Sequence, residues 1–273
     1  MSENIRTAVC GAAGRMGREV VRAIIEAKGY DLAAAIDQHA EGQDAGKLAG
    51  CPIIGIPLQT DLKSALKSSN AHVLVDFTLP DSVMNNILIS IEMGVHVVVG
   101  TTGLGADAIA ELDEKSKARG TGVFIAPNFA IGAVLMMQFA AQAAKYMPDV
   151  QIIELHHEKK LDSPSGTALL TAQKIAAARR EAGATPLELP KNIVEKSPGA
   201  LGARDSGTEG IPIHSVRLPG FVAHQEVIFG GVGQTLTIRH DSLDRQSFMP
   251  GVLLAVGKVQ SLRGVVIGLE KLL

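Results

Sequence analysis

The chain has 273 residues, enough for two modest domains or one large one, and 46% of them are hydrophobic, so a sizeable core can be buried. A net charge of −2 without a long basic run argues against nucleic acid or an anionic membrane as a partner, and 3% aromatics with no tryptophan argues against a base-stacking surface. Cys10 and Cys51 lack the number and spacing of a disulfide framework, and no secretory leader or bilayer-length apolar run is visible, so a cytoplasmic protein is expected.

The first predicted element is a short apolar strand, Ile5 to Cys10. It runs into Gly11-Ala12-Ala13-Gly14-Arg15-Met16-Gly17, and a helix follows with Val20, Val21, Ile24 and Ile25 on one face. Glycines between a strand and a helix permit a tight turn, close approach of a pyrophosphate, and close helix–strand packing. The helix N-terminus adds free N–H groups and partial positive charge, and Arg15 and Arg18 add side-chain charge nearby. The spacing is GxxGxxG rather than GxGxxG. The second strand, Asp31 to Ile36, ends at Asp37, where a carboxylate can accept hydrogen bonds from ribose hydroxyls. A dinucleotide site is therefore expected. No arginine adjoins Asp37; Gln38 and His39 follow it. This favours NADH, with NADPH open to the protein only if Gln38 and His39 bond its extra phosphate.

Further apolar strands are predicted at Val73 to Phe77, Val95 to Val99 and Gly122 to Ala126, with a helix from about Ser82 to Met93. Near-continuous apolar strands alternating with helices point to a parallel sheet covered on both faces. The loops Gly100-Thr101-Thr102-Gly103 and Ala126-Pro127-Asn128-Phe129 leave the carboxyl ends of these strands, where ligands of open parallel sheets bind. The pattern changes after Asn128, so residues 1–128 are expected to form a dinucleotide-binding domain.

Ile131 to Tyr146 reads as one long helix. An apolar run, Val150 to Ile153, then feeds Glu154-Leu-His156-His157-Glu-Lys-Lys160-Leu-Asp-Ser-Pro-Ser165-Gly166-Thr167, and a helix runs from about Ser165 to Ala182. His156 and His157 would point to opposite sides if the strand continued through them. Lysine supplies a point charge or an acid. Ser165, Gly166 and Thr167, at a helix start, offer hydroxyl and N–H donors for a carboxylate. Histidines and glutamates raise the question of a metal, but HExxH spacing and a cysteine cluster are both absent, so none is expected. The two signals together describe a reductase acting on an anionic small molecule.

Residues 184–210 are rich in Pro, Gly and charge and read as loop. Ile211 to Arg217, Phe221 to Phe229 and Gln234 to Arg239 follow at hairpin spacing and are expected to be antiparallel. The second half is thus α+β over residues 129–240. The segment 241–273, helical and apolar from about Ser247, is expected to return to the first domain.

The quoted segments resemble the dihydrodipicolinate reductase (4-hydroxy-tetrahydrodipicolinate reductase) family of lysine and diaminopimelate biosynthesis. The likeness includes Val75-Asp-Phe-Thr78, Val216-Arg-Leu-Pro-Gly-Phe-Val-Ala-His224 and Thr237-Ile-Arg-His-Asp-Ser242, and it runs over nearly the whole chain. The His–Lys–Ser-Gly-Thr combination is its specific part. The resemblance implies a Rossmann-like cofactor domain, an α+β domain for substrate binding and oligomerisation, and a homotetramer built through the second sheet. It implies NAD(P)H-dependent hydride delivery to the conjugated imine of a cyclic dicarboxylate. His156 and Lys160 would be catalytic, and His157, Ser165, Gly166 and Thr167 would bind substrate. Gly11 to Met16, Asp37, Gly100 to Thr102 and Ala126 to Phe129 would contact cofactor. Family members often carry arginine where Gln38 stands. Other two-domain dehydrogenases fit less well: the aspartate-semialdehyde type needs a cysteine nucleophile in the second domain, and none follows Cys51. The sugar type usually carries a Glu-Lys-Pro motif, which is missing. A sensor that merely binds NAD would leave the His156–Lys160 segment without a role.

Overall fold

The structure, a computed structural model, describes residues 4–101, 103–184 and 210–273. It divides into two compact units, 1–131 with 245–273, and 132–244.

The first unit is built around a parallel sheet. Its strands are β1 (Ile5–Cys10), β2 (Tyr30–Ile36), β3 (Leu58–Gln59), β4 (Val73–Asp76), β5 (His96–Val99), β6 (Gly122–Ile125) and β11 (Gly264–Ile267), in the order β11-β6-β5-β4-β1-β2-β3. Helices α1 (Arg15–Glu26), α2 (Ala45–Leu48), α3 (Leu62–Ser69), α4 (Pro80–Glu92), α5 (Ala106–Arg119) and α8 (Met249–Val259) belong to the same unit. Val73, Leu74, Val75, Val97, Val98, Val99, Val123 and Phe124 have no exposed surface. Burial on both faces is why these strands read as unbroken apolar runs. Each such aliphatic side chain contributes roughly 1.5–3 kcal/mol of transfer free energy. The register brings Cys10 beside Asp76, Asp76 beside Val99, and Val99 beside Ile125. The loops beginning at Gly11, Phe77, Gly100 and Ala126 therefore leave one edge at a common level. The strand order reverses between β1 and β4, the switch point at which such sheets bind ligands.

Residues 245–273 cluster with this unit, and the C-terminal segment, taken from 241 in the sequence, is not wholly helical. After α8 the chain forms β11, which pairs in parallel with β6. The Tyr30 hydroxyl donates to Leu253 O at 3.0 Å and ties α8 to the sheet. The other boundary falls after Ile131 rather than Asn128, because Phe129 and Ala130 are buried with the first unit.

The second unit contains α6 (Ile131–Ala144), which starts at its boundary, β7 (Asp149–His156), α7 (Gly166–Glu181), β8 (Ile213–Arg217), β9 (Ala223–Gly231) and β10 (Gln234–Ser242). Its sheet has the order β10-β9-β7-β8. The antiparallel expectation holds for β9 and β10 but not for β8, which pairs in parallel with β7. The connection between them contains α7, the crossover that parallel pairing requires. The loop-like stretch read over 184–210 lies almost wholly outside the described residues. Among the described residues no helix is long and apolar enough to cross a membrane.

Candidate active site

In the first unit, the glycine turn follows directly from sterics. Gly11 has φ of 77°, and a Cβ there would lie 2.6 Å from Phe77 O. A Cβ on Gly17 would lie 1.9 Å from Gly11 O. Gly14 is the N-cap of α1 and has no side chain to satisfy the first-turn N–H groups. The helix start is thus a bare donor surface of the kind that takes phosphate. Arg15 lies exposed at this start, and Met16 follows it half-buried. Arg18 folds back, its Nε donating to Ala13 O at 2.8 Å.

Asp37 sits just past β2. One carboxylate oxygen accepts from Ala13 N and the other from His39 N, each at 2.9 Å. The residue therefore braces the glycine turn and leaves further lone pairs to a ligand. A cavity of about 500 Å³ opens here, lined by Gly11, Gly14, Asp37, Gln38, His39 and Asp61 among others, with no lysine or arginine among the lining residues described. Gln38 is exposed and donates from Nε2 to Thr60 O at 3.0 Å.

The neighbouring loops are held by a residue to which sequence reasoning gave no role. Asp76, with no exposed surface, accepts from Thr78 N (2.9 Å), Thr78 Oγ1 (2.7 Å), Thr101 Oγ1 (3.1 Å) and Asn86 Nδ2 (2.8 Å). It joins the loop after β4, the loop after β5 and helix α4. Gly100 is small because a Cβ would fall 2.1 Å from the Phe77 ring. Phe77 and Phe124 each pack against Phe129, with centroids 5.8 and 6.1 Å apart. Ala126 continues from β6, its N–H on Val99 O at 3.1 Å; Pro127 is exposed, and Asn128 Oδ1 accepts from Ala130 N at 2.8 Å. Thr102 lies outside the described residues.

In the second unit, alternation along β7 puts Val150, Ile152, Glu154 and His156 on one face. Glu154 is fully buried. Its Oε2 accepts from Arg217 Nη1 at 3.0 Å and lies 2.5 Å from His156 Nδ1. Its Oε1 accepts from Arg217 Nη2 at 2.7 Å and Ser165 N at 3.3 Å. Burial would raise this carboxyl, but hydrogen bonds from His156, Arg217 and Ser215 and the charge of His156 outweigh it and hold the pKa at about 2, against an ordinary 4.5. Neither Glu154 nor Arg217 was a predicted site residue. The i, i+2 spacing of Glu154 and His156 was a usable signal. Arg217 reaches the site because β8 places it opposite His156, a register no local pattern reveals.

The strand ends at His156, so His157 stands in the loop, and its carbonyl accepts from Lys160 N at 3.1 Å. Lys160 Nζ donates to Asp162 Oδ1 at 2.7 Å, and that bond holds the Asp162 carboxyl below the usual carboxylate range. Ser165 is the N-cap of α7, its hydroxyl accepting from Ala168 N at 3.2 Å. The expected hydroxyl donor is thus also structural. Gly166 is exposed at the helix start, with nothing within 4 Å of a hypothetical Cβ, and Thr167 follows it half-buried. Among the described residues no three His, Cys, Asp or Glu side chains are grouped to hold a metal ion.

Two family models divide the chain between them: "Dihydrodipicolinate reductase, N-terminus" matches residues 5–129 and "Dihydrodipicolinate reductase, C-terminus" matches 132–273. This chain belongs to the dihydrodipicolinate reductase family. The 4-hydroxy-tetrahydrodipicolinate reductase of Moorella thermoacetica is 47% identical over 273 residues, covering 100% of this chain and 99% of the relative. That of Geobacillus thermodenitrificans is 51% identical over 269 residues, covering 98% and 99%. Among solved structures, dipicolinate-bound dihydrodipicolinate reductase from Paenisporosarcina sp. TG-14 superposes with a TM-score of 0.84 at 40% identity, covering 99% of this chain and 100% of that one. The resemblance read from the sequence motifs is therefore correct, and so is the expected fold class: a Rossmann-like parallel sheet with a second α+β unit is the dihydrodipicolinate reductase architecture.

Proposed function

We propose that this chain reduces 4-hydroxy-tetrahydrodipicolinate, after loss of water, to tetrahydrodipicolinate, using NADH in preference to NADPH. The observation that carries the reading is the family match across both halves of the chain, with full-length relatives of that activity near 50% identity.

NAD(P)H supplies the hydride when bound. The first unit suits it: a tight glycine-bounded turn, a helix start with no side-chain cap and a carboxylate stand together. The N–H groups of Gly11 to Gly14 are taken up within the turn, by Ile36 O, Asp37 Oδ2 and Gly11 O. The turn would therefore pass close beside the pyrophosphate while the first-turn N–H groups of Arg15 and Met16 would hold it, and Asp37 would hold the adenosine ribose. Gly100, Thr101, Thr102 and Ala126 to Phe129 would border the nicotinamide, with Asp76 keeping the first of these loops in place. The preference for NADH is supported by Asp37 and Asp61 lining the cavity, with no lysine or arginine among the described lining residues to offset a 2′-phosphate.

The substrate is a dicarboxylate, and the second unit offers groups that fit one. Gly166 and Thr167 at the start of α7 would take one carboxylate through N–H and hydroxyl donors, with Ser165 shaping the turn and His157 assisting. Hydride addition to the conjugated imine builds electron density that a proton must neutralise. Lys160 would deliver that proton after releasing Asp162, and His156 would share in proton transfer. The open face of the second sheet carries half-buried Ile153, Leu155, Val216 and Ile228, which supports assembly into a homotetramer through that face. A cytoplasmic location follows from the role in lysine and diaminopimelate biosynthesis.

The test is oxidation of NADH and NADPH with substrate generated in situ from pyruvate and aspartate semialdehyde by the preceding synthase. Oxidation that depends on the synthase is the expected result. Folded protein that binds NADH but oxidises neither cofactor would refute the substrate assignment.

A further inference from the structure

We propose that Glu154 is a positioning residue for the reaction: it fixes His156 with Nδ1–H on its own carboxylate, leaves Nε2 to exchange protons, and through Arg217 anchors the loop that carries Lys160. The kinetic part of this inference rests on the function proposed above.

The geometry begins with an acceptor. An ionised carboxylate has no proton to donate, so the contact at 2.5 Å between Glu154 Oε2 and His156 Nδ1 is made by a proton on Nδ1. That fixes the tautomer of a neutral ring and the orientation of a charged one. The same carboxylate takes a two-pronged bond from Arg217, which prevents it from rotating away. Arg217 Nη2 also donates to Asp162 O at 2.8 Å. Asp162 is in turn the partner of Lys160 Nζ. One buried side chain thus connects the two groups expected to move protons. The charged groups gathered here are Glu154 on β7, Arg217 on β8, and Lys160 and Asp162 on the loop. The competing account is that Glu154 and Arg217 merely pin β7 to β8. Such a pair would matter for stability and would be indifferent to which nitrogen of His156 holds the proton.

Two measurements separate the accounts. The first uses unaltered protein: nitrogen-15 NMR of the histidine rings, with His156 assigned by its loss in His156→Asn, at a pH where the ring is neutral. The expected result is the Nδ1–H tautomer, and an Nε2–H tautomer overturns the proposal. The second is Glu154→Gln in the coupled assay. We expect kcat to fall about 10²-fold, within the range for a disturbed general acid or base, and KM for NADH to change by less than about twofold. The limb of the kcat profile that reports a protonated group should move to lower pH, since the neighbouring anion is gone. Folded Glu154→Gln with the kcat and pH profile of the parent overturns the proposal. If Glu154→Gln does not fold, the ring tautomer in the parent protein decides. If the parent protein does not reduce the substrate at all, the proposed function fails, and the tautomer still decides whether Glu154 orients His156.

Discussion

Asp76 in the first unit and Glu154 in the second are both carboxylates without exposed surface, yet they hold different kinds of partner. Asp76 accepts from an amide, a backbone N–H and two hydroxyls, all permanently neutral. Glu154 accepts from an arginine and a histidine, besides the Ser215 side chain and one backbone N–H. A carboxylate among neutral donors holds loops in shape and has no proton traffic to direct. A carboxylate beside a titratable ring also sets where that ring's proton resides. The comparison assigns backbone bracing to the unit expected to hold cofactor, and control of proton position to the unit expected to act on substrate.

The largest expected effect tests the second half of that division. Lys160→Ala should lower turnover by roughly 10²–10⁴-fold, the usual contribution of a positioned proton donor, with little change in NADH affinity measured by fluorescence titration. An equal loss of NADH binding would break the assignment of cofactor and proton transfer to different units.

Next in size is the acid response of Glu154. Its folded pKa of about 2 lies below the ordinary 4.5, so its contribution is fully present above 4.5 and is lost as pH falls from there toward 2. The amount is on the order of 3 kcal/mol. Urea unfolding across that range should show the loss in the parent protein and not in Glu154→Gln. The same slope in both would mean that other carboxylates dominate.

Asp76→Asn should cost about 1–3 kcal/mol of stability by placing an amide donor against existing donors. NADH binding should weaken by up to about tenfold, while the shape of the kcat profile against pH stays that of the parent. A shifted profile would erase the contrast between the two carboxylates. The smallest expected change sharpens the cofactor half alone: Gln38→Arg should raise the preference for NADPH over NADH by several-fold to about tenfold, by adding a cation for the 2′-phosphate. Unchanged relative KM values would place cofactor choice elsewhere in the cavity.

Much of the fold and of the candidate site is legible in the amino-acid sequence, because short-range patterns carry it. The glycine spacing, Asp37 at a strand end, the apolar strands alternating with helices, and the His156–Lys160 segment before a Ser-capped helix are local signals. Each reflects a constraint within a few residues: a turn too tight for a Cβ, a strand buried on both faces, a helix start that needs a cap. What stays hidden depends on partners far apart in the chain. Arg217 lies 63 residues from Glu154 and meets it only through the parallel register of β7 and β8. Thr101 meets Asp76 across 25 residues because their strands end at one level. β11 escapes a sequence reading because Gly264–Ile267 is too short to announce a strand until β6 offers it an edge. The sequence by itself thus determined the family and the fold class, and it singled out the segments proposed to act. Only the tertiary structure decided which charges are buried together, since burial and pairing are properties of the assembled sheet and not of any stretch of chain.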